Sequence, residues 1–260
     1  MFNLVRSDLY KTTHSKIFWI LLTITIACSI AMFSISYGIG NNSLNMSLGS
    51  VGFLISDMNM MTIIGAVLAT FLICSDFDTK NIHHPIISGY SRMQIVVSKA
   101  IVFWILLFTL AIPFIVVTFI GLTMDTTFSM GGVAAGYLSI LTTSTSGTFG
   151  QSIVILLIMT MVYFAQLCVC LLLAFTLRKA VLVVAGYYML SMFLGQVASF
   201  PETFELLHNI ISYTPFAGKY ITMHVGMSSA DLTIALFTCM IFMLVVMWLT
   251  YMSFRKAEIK

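Results

Sequence analysis

Long apolar runs alternate with short polar segments along the whole chain. The runs lie near 17–37, 51–74, 98–121, 151–177, 180–198 and 233–253. Each holds about nineteen or more residues, and at about 1.5 Å per residue such a helix crosses a hydrocarbon core about 30 Å thick. The pattern predicts an all-α integral membrane protein with six transmembrane helices in a single domain over 1–260. The first run is longer than the apolar stretch of a cleavable signal, so it is read as a permanent span.

The segments between the runs carry their own patterns. Ahead of the first span, Phe2, Val5 and Leu9 recur at helical spacing with Leu4 beside them, while Arg6, Asp8 and Lys11 lie off that stripe. This predicts a short amphipathic helix at the membrane interface rather than a solvated tail. Residues 38–50 are rich in Gly, Asn and Ser, and 122–150 in Thr, Ser and Gly. In 199–232, Phe204, Leu207, Ile210 and Ile211 recur at helical spacing between Pro201 and Pro215, which suggests a second short amphipathic helix. Pro113 falls inside the third run and should kink it.

Charge sets the orientation. Arg6, Lys11 and Lys16 precede the first span, and Lys80, Arg92 and Lys99 fall between the second and third. Arg178 and Lys179 separate the fourth from the fifth, and Arg255, Lys256 and Lys260 follow the sixth. These alternate segments hold eleven of the twelve basic residues, and the opposite ones hold only Lys219. By the positive-inside rule both termini and the 75–99 loop face the cytosol, across a cell (plasma) membrane.

Composition narrows the class further. The chain is 60% hydrophobic and 8% charged, against about 25% charged residues in a soluble domain. The five Cys, at 28, 74, 168, 170 and 239, sit in or at the ends of apolar runs and read as small apolar residues rather than a disulfide framework.

Motifs of soluble chemistry are missing. No G-x-x-x-x-G-K-[ST], H-E-x-x-H or G-x-S-x-G occurs, so the chain is not expected to bind ATP by a P-loop or to act as an enzyme. No metal and no nucleic-acid partner is expected. His83 and His84 are adjacent, diverge on a helix, and read as interfacial polar residues. Two positions inside the runs could touch a pathway. Asp57 either lines a path one turn inside the second span or marks its outer lip. Gln166, the deepest bulky polar side chain, either joins helices or meets a substrate. Buried carboxylates of the kind that drive ion-coupled transporters are scarce, which suits a protein whose energy arrives from outside.

The 75–99 loop, SDFDTKNIHHPIISGYSRMQIVVSK, is the polar island on which this reading turns. Asp76 and Lys80 are four apart, a favourable helical pairing. Asp78 is placed to cap a helix through Thr79, Lys80, Asn81 and Ile82, limited by Pro85. Gly89-Tyr90 turns the chain and Ser91 caps the third span. The succession Asp78, Thr79, Lys80, Ile86, Ile87, Gly89, Ser91, Arg92, Lys99 resembles the membrane subunit of ATP-binding-cassette exporters of the second permease type. Asp78 stands where that family usually has Gly, and the two His are unusual for it. The layout is similar too: an N-terminal amphipathic helix, six spans and a longer segment between the last two.

The resemblance implies a permease that pairs with an identical or homologous second permease, above two ATPase subunits that hold ATP and Mg. The 76–88 helix would couple the permease to the ATPase through Asp76, Asp78, Thr79, Lys80, Asn81, His83, His84 and Arg92. The small, loop-poor layout resembles members that export amphipathic or antimicrobial peptides. Sodium efflux by a similar permease, or a non-transporting sensor or assembly partner, are the alternatives.

Overall fold

The computed structural model describes residues 2–124, 126–130, 136–143, 149–199, 209–224 and 226–256. All regular structure among them is helical. Six helices are long and apolar enough to cross a membrane: Lys16–Gly40, Met46–Asp78, Arg92–Leu122, Gly150–Leu177, Ala180–Val197 and Ser229–Lys256, called spans 1 to 6. The chain is a multi-pass membrane protein. The N-terminal helix Phe2–Thr13, the 75–91 loop, the 178–179 turn and the end of span 6 lie together at one end of the bundle, the basic end.

Span 4 is the centre, packed by spans 2, 3, 5 and 6, with span 6 its most extensive neighbour and span 1 lying outside on span 3. That position explains Cys168 and Cys170. Two residues apart, they point to different sides, and both are buried because span 4 is packed on several sides at their level, although Val154, Leu157 and Met161 further along it are exposed. All five Cys are free thiols. The described interior holds two large apolar clusters and a small third one of Val197, Ile211 and Phe216. The first, at the basic end, holds Leu68, Phe103, Leu107, Phe175, Tyr187 and Phe254. The second, toward the far end, holds Met32, Phe114, Tyr137, Met159 and Tyr163. In lipid no water is released by helix contact, so this close packing carries the association.

Spans 2 and 3 differ from the apolar runs that announce them. Span 2 is divided. Gly49–Leu54 ends at Ile55, Ser56 is extended (φ −60°, ψ 156°), and a second helix begins at Asp57. Further on, Thr70–Cys74 forms a π turn before Ser75–Asp78 ends the span. Such bulges insert a residue into an α-helix and often mark working segments. Span 3 begins at Arg92, so Lys99 lies about two turns inside the helix. Pro113 lies within this helix without dividing it.

Two local expectations change, and a third falls largely outside the described residues. The N-terminal helix forms, but Leu4, Val5 and Leu9 pack on the basic-end core of the protein while Phe2 stays exposed. The helix expected through Thr79–Ile82 is a turn. Ser75–Asp78 completes span 2, Lys80 adopts φ +57°, and a new short helix runs His83–Ile87. Pro85 sits in its first turn, where a missing N–H costs nothing, so proline helps to start this helix rather than end it. The stripe in 199–232 is described only in part. Phe204 and Leu207 lie outside the described residues, and Ile210 is exposed while Ile211 is buried.

Candidate functional site

The basic end is built around four charged side chains. Asp8 and Lys11 lie three apart on the N-terminal helix, Asp76 in the last turn of span 2, and Lys99 inside span 3. Lys99 Nζ donates to Asp8 Oδ1 at 2.8 Å and to Asp76 Oδ2, and Lys11 Nζ donates to Asp76 Oδ1. The result is a chain Asp8–Lys99–Asp76–Lys11 of zero net charge. The Lys99 and Asp76 side chains are 6% and 7% exposed, and Lys11 is 47% exposed. Buried charge costs several kcal/mol per ion unless paired, so each inner member depends on the others. Asp8 Oδ2 is buried with no hydrogen-bond partner. Asp76 therefore does not pair with Lys80, which is exposed in its turn.

The loop is held against this quartet. Thr79 Oγ1 donates to the Ser75 carbonyl at 2.7 Å, closing the end of span 2. The Ile82 N–H reaches the Asp76 carbonyl at 3.3 Å, and the Ile82 side chain is buried beneath the turn. Gly89 takes φ +83°, a conformation that favours glycine. Ser91 and Gln94 then form a capping box: Ser91 N–H donates to Gln94 Oε1 at 2.9 Å and Gln94 N–H to Ser91 Oγ at 3.3 Å. Between the loop and the N-terminal helix lies a cleft of about 340 Å³, reached by Ser7, Asp8, Lys11, Asn81, His84 and Lys99. Asp78 and Lys80 are exposed beside it, and His83 is half-buried at the start of the short helix.

Arg92 turns the other way. It donates to the Phe254 and Arg255 carbonyls at 2.9 and 2.8 Å, and its guanidinium lies 5.7 Å from the centre of the Phe254 ring. Phe254 packs with Phe77 and Phe175, and Arg178 covers Phe77 at 5.0 Å. Cations over aromatic faces gain electrostatic attraction. The loop is thereby tied to spans 4 and 6 as well as to span 3.

No protein-family model matches the chain, and no curated protein matches it.

Asp57 and Gln166 belong to the opposite half of the bundle. Asp57, fully buried, opens the second helix of span 2. Its Oδ2 accepts from the Tyr137 N–H at 2.9 Å and from the Tyr163 hydroxyl. Gly136 (φ +71°) brings the chain so close that a Cβ there would collide with Asp57 and Tyr163. The short helix Tyr137–Thr143 is in turn tied to the segment before span 6. Gly136 N–H donates to the Ile221 carbonyl at 2.9 Å and Ser139 Oγ to the Met223 carbonyl at 2.6 Å. Burial pushes the Tyr137 phenol well above its ordinary pKa range, and its hydroxyl lies 2.9 Å from Thr160 Oγ1. Gln166 Nε2 donates to the Pro215 carbonyl at 2.9 Å, so its amide joins span 4 to the segment before span 6.

Sequence reasoning gave no site role to Asp8, Lys11 or Tyr137, and counted Lys99 among the orienting bases and in the family-like succession without its acid partners. A Lys flanked by Val, Ser, Ala and Ile was the available signal. A lysine that far into an apolar helix needs an acid, and Asp76 and Asp8 are the acids at its level.

Proposed function

We propose that the chain is the permease subunit of an ATP-binding-cassette exporter. Its basic end, with both termini, lies in the cytosol of a plasma membrane, and its energy comes from ATP and Mg held by a separate ATPase chain. The observation that carries this reading is the 75–91 loop. Its short helix His83–Ile87 stands out with Ile87 82% exposed, while Ile82 at its base is buried and bonded to the end of span 2, where ion pairs join Asp76 to Lys99 of span 3 and Lys99 to Asp8 of the N-terminal helix. A protruding apolar tip on a rigid base suits receipt of force from a docked partner. The tip and Asp78, Thr79, Lys80, Asn81, His83 and His84 form the surface offered; Asp76, Lys99 and Arg92 form the brace behind it.

An export cargo of amphipathic or peptide character fits the outer wall. Spans 2 and 5 flank a shallow, largely apolar groove lined by Ile63, Val181, Val184 and Tyr188, open to the side from which a membrane-partitioned molecule would arrive. A second permease, identical or homologous, completes the assembly in this reading.

The test is a detergent pull-down of the tagged chain from its own host, with partners identified by mass. A soluble ATP-binding-cassette subunit at about one-to-one ratio supports the proposal; recovery of intact permease without one refutes it and favours a non-transporting membrane role. Reversing charge at Asp78 and Lys80 together should weaken that association while leaving thermal unfolding unchanged, because both side chains are exposed.

A further inference from the structure

The N-terminal helix has two faces, and the bundle uses one of them. At about 100° per residue, Leu4, Val5, Asp8, Leu9 and Thr12 share one half of the helix. The three apolar residues among them pack on the core, Asp8 meets Lys99, and Thr12 is buried. The other half carries Phe2, Arg6 and Tyr10 on successive turns, with Phe2 80% and Tyr10 66% exposed. Ser7 and Lys11 edge the cleft beside the loop. Phe2, Arg6 and Tyr10 lie on the opposite flank, away from it. The one acid of this helix, Asp8, points inward, so the flank offers positive charge between two aromatic rings.

Its depth in the membrane is fixed by its neighbour. Span 1 starts at Lys16, three residues after the helix ends, and Trp19 Nε1 donates to the Thr13 carbonyl at 3.0 Å. Trp19 is exposed on the surface of span 1, and tryptophan favours the headgroup level. The helix is thus held where the chain passes from headgroups into hydrocarbon. A ligand for this flank must bring negative charge for Arg6 and a half-apolar surface for Phe2 and Tyr10. Phospholipid headgroups of that leaflet supply both.

We propose that the Phe2–Arg6–Tyr10 flank is a docking surface for anionic phospholipid headgroups, with Arg6 receiving a phosphate and the two rings seated at the glycerol level. This inference rests on the spans crossing a membrane and is independent of any ATPase partner. The sequence points to the stripe of Phe2, Leu4, Val5 and Leu9 as the membrane face; the structure spends Leu4, Val5 and Leu9 on the protein's own core and leaves Phe2 to this flank.

The test uses the full chain with Cys28→Ala and a nitroxide on Asn3→Cys, an exposed position beside Tyr10 on the same face. It is reconstituted in nanodiscs of phosphatidylcholine alone or mixed with phosphatidylglycerol. Collision with a water-soluble nickel chelate is expected to fall about fivefold in the anionic discs, the preference of one basic residue for such a surface. Adding Arg6→Gln should return it to the phosphatidylcholine value, with thermal unfolding unchanged. High and equal collision rates in both discs would mean a solvated face and overturn the proposal. Protection equal in both lipids that appears only on adding a co-purified soluble subunit would assign the flank to that protein and also overturn it.

Discussion

Replacing Lys99 by Met tests whether the buried quartet holds the basic end together. The methionine fills the space of the lysine stem but removes the charge. Asp8 and Asp76 would then face only Lys11, and the group would pass from zero to one net negative charge in a pocket where Asp76 is 7% exposed. Removing one partner of a buried pair costs about 3–5 kcal/mol, because the other charge stays desolvated. Lys11→Met should cost about 1 kcal/mol or less, since Lys11 is half-exposed and Asp76 keeps Lys99. At about 2–4 °C per kcal/mol for a chain of this size, Lys99→Met lowers the unfolding midpoint on the order of 10 °C. A thiol-reactive dye reads this directly, because Cys74, Cys168, Cys170 and Cys239 are buried until the bundle opens. Adding Asp8→Asn to Lys99→Met removes the surplus charge and should restore part of the loss. A Lys99→Met midpoint within about 2 °C of the parent, or equal losses at Lys11 and Lys99, would refute the reasoning.

The far end makes its own predictions. Gly136→Ala should destabilise by more than about 2 kcal/mol, since it forces a left-handed backbone on alanine and drives a methyl into Asp57 and Tyr163; the same dye assay measures it. Gln166→Leu leaves the Pro215 carbonyl without its donor and should cost about 1–3 kcal/mol of stability. A change in transport selectivity with no stability loss would instead place Gln166 in the path. A reporter fused after Lys260 should read cytosolic; an external signal would invert the assigned orientation.

The six spans were legible because lipid imposes one strong rule, about twenty apolar residues per crossing, and every run met it. The capping of span 3 was legible for a local reason: Ser91 and Gln94 satisfy helix ends within four residues. The loop helix was misplaced because Asp78 looked like a cap, although span 2 simply continued through it. A carboxylate four residues before a lysine also looked like a pair, but Asp76 had two lysines available from other helices, at positions 11 and 99. Such contacts between distant segments leave no periodic trace. The break at Ser56 left a weak trace, since neither Gly nor Pro interrupts the sequence there and Asp57 read equally as a residue inside the span or at its outer lip.

Span 2 joins these observations physically. Among the described residues it carries one buried carboxylate at each end of its continuous run, Asp57 and Asp76, and each is bonded to segments outside its own helix. A helix pinned by hydrogen bonds at Asp57 and by ion pairs at Asp76 cannot slide along its axis without breaking buried contacts at one of them. It can tilt or change its winding between the pins, and the one irregular turn in that interval is Thr70–Cys74. Under the proposed function, a push on the 75–91 loop has two outlets. It either rotates the base of span 2 against Lys99, or it rewinds the π turn and leaves Asp57 in place. The first strains the quartet and loads the Asp57 contacts with Tyr137 and Tyr163. The second confines the change to the basic half. The partition between them decides whether a signal at the loop reaches the far end of the bundle.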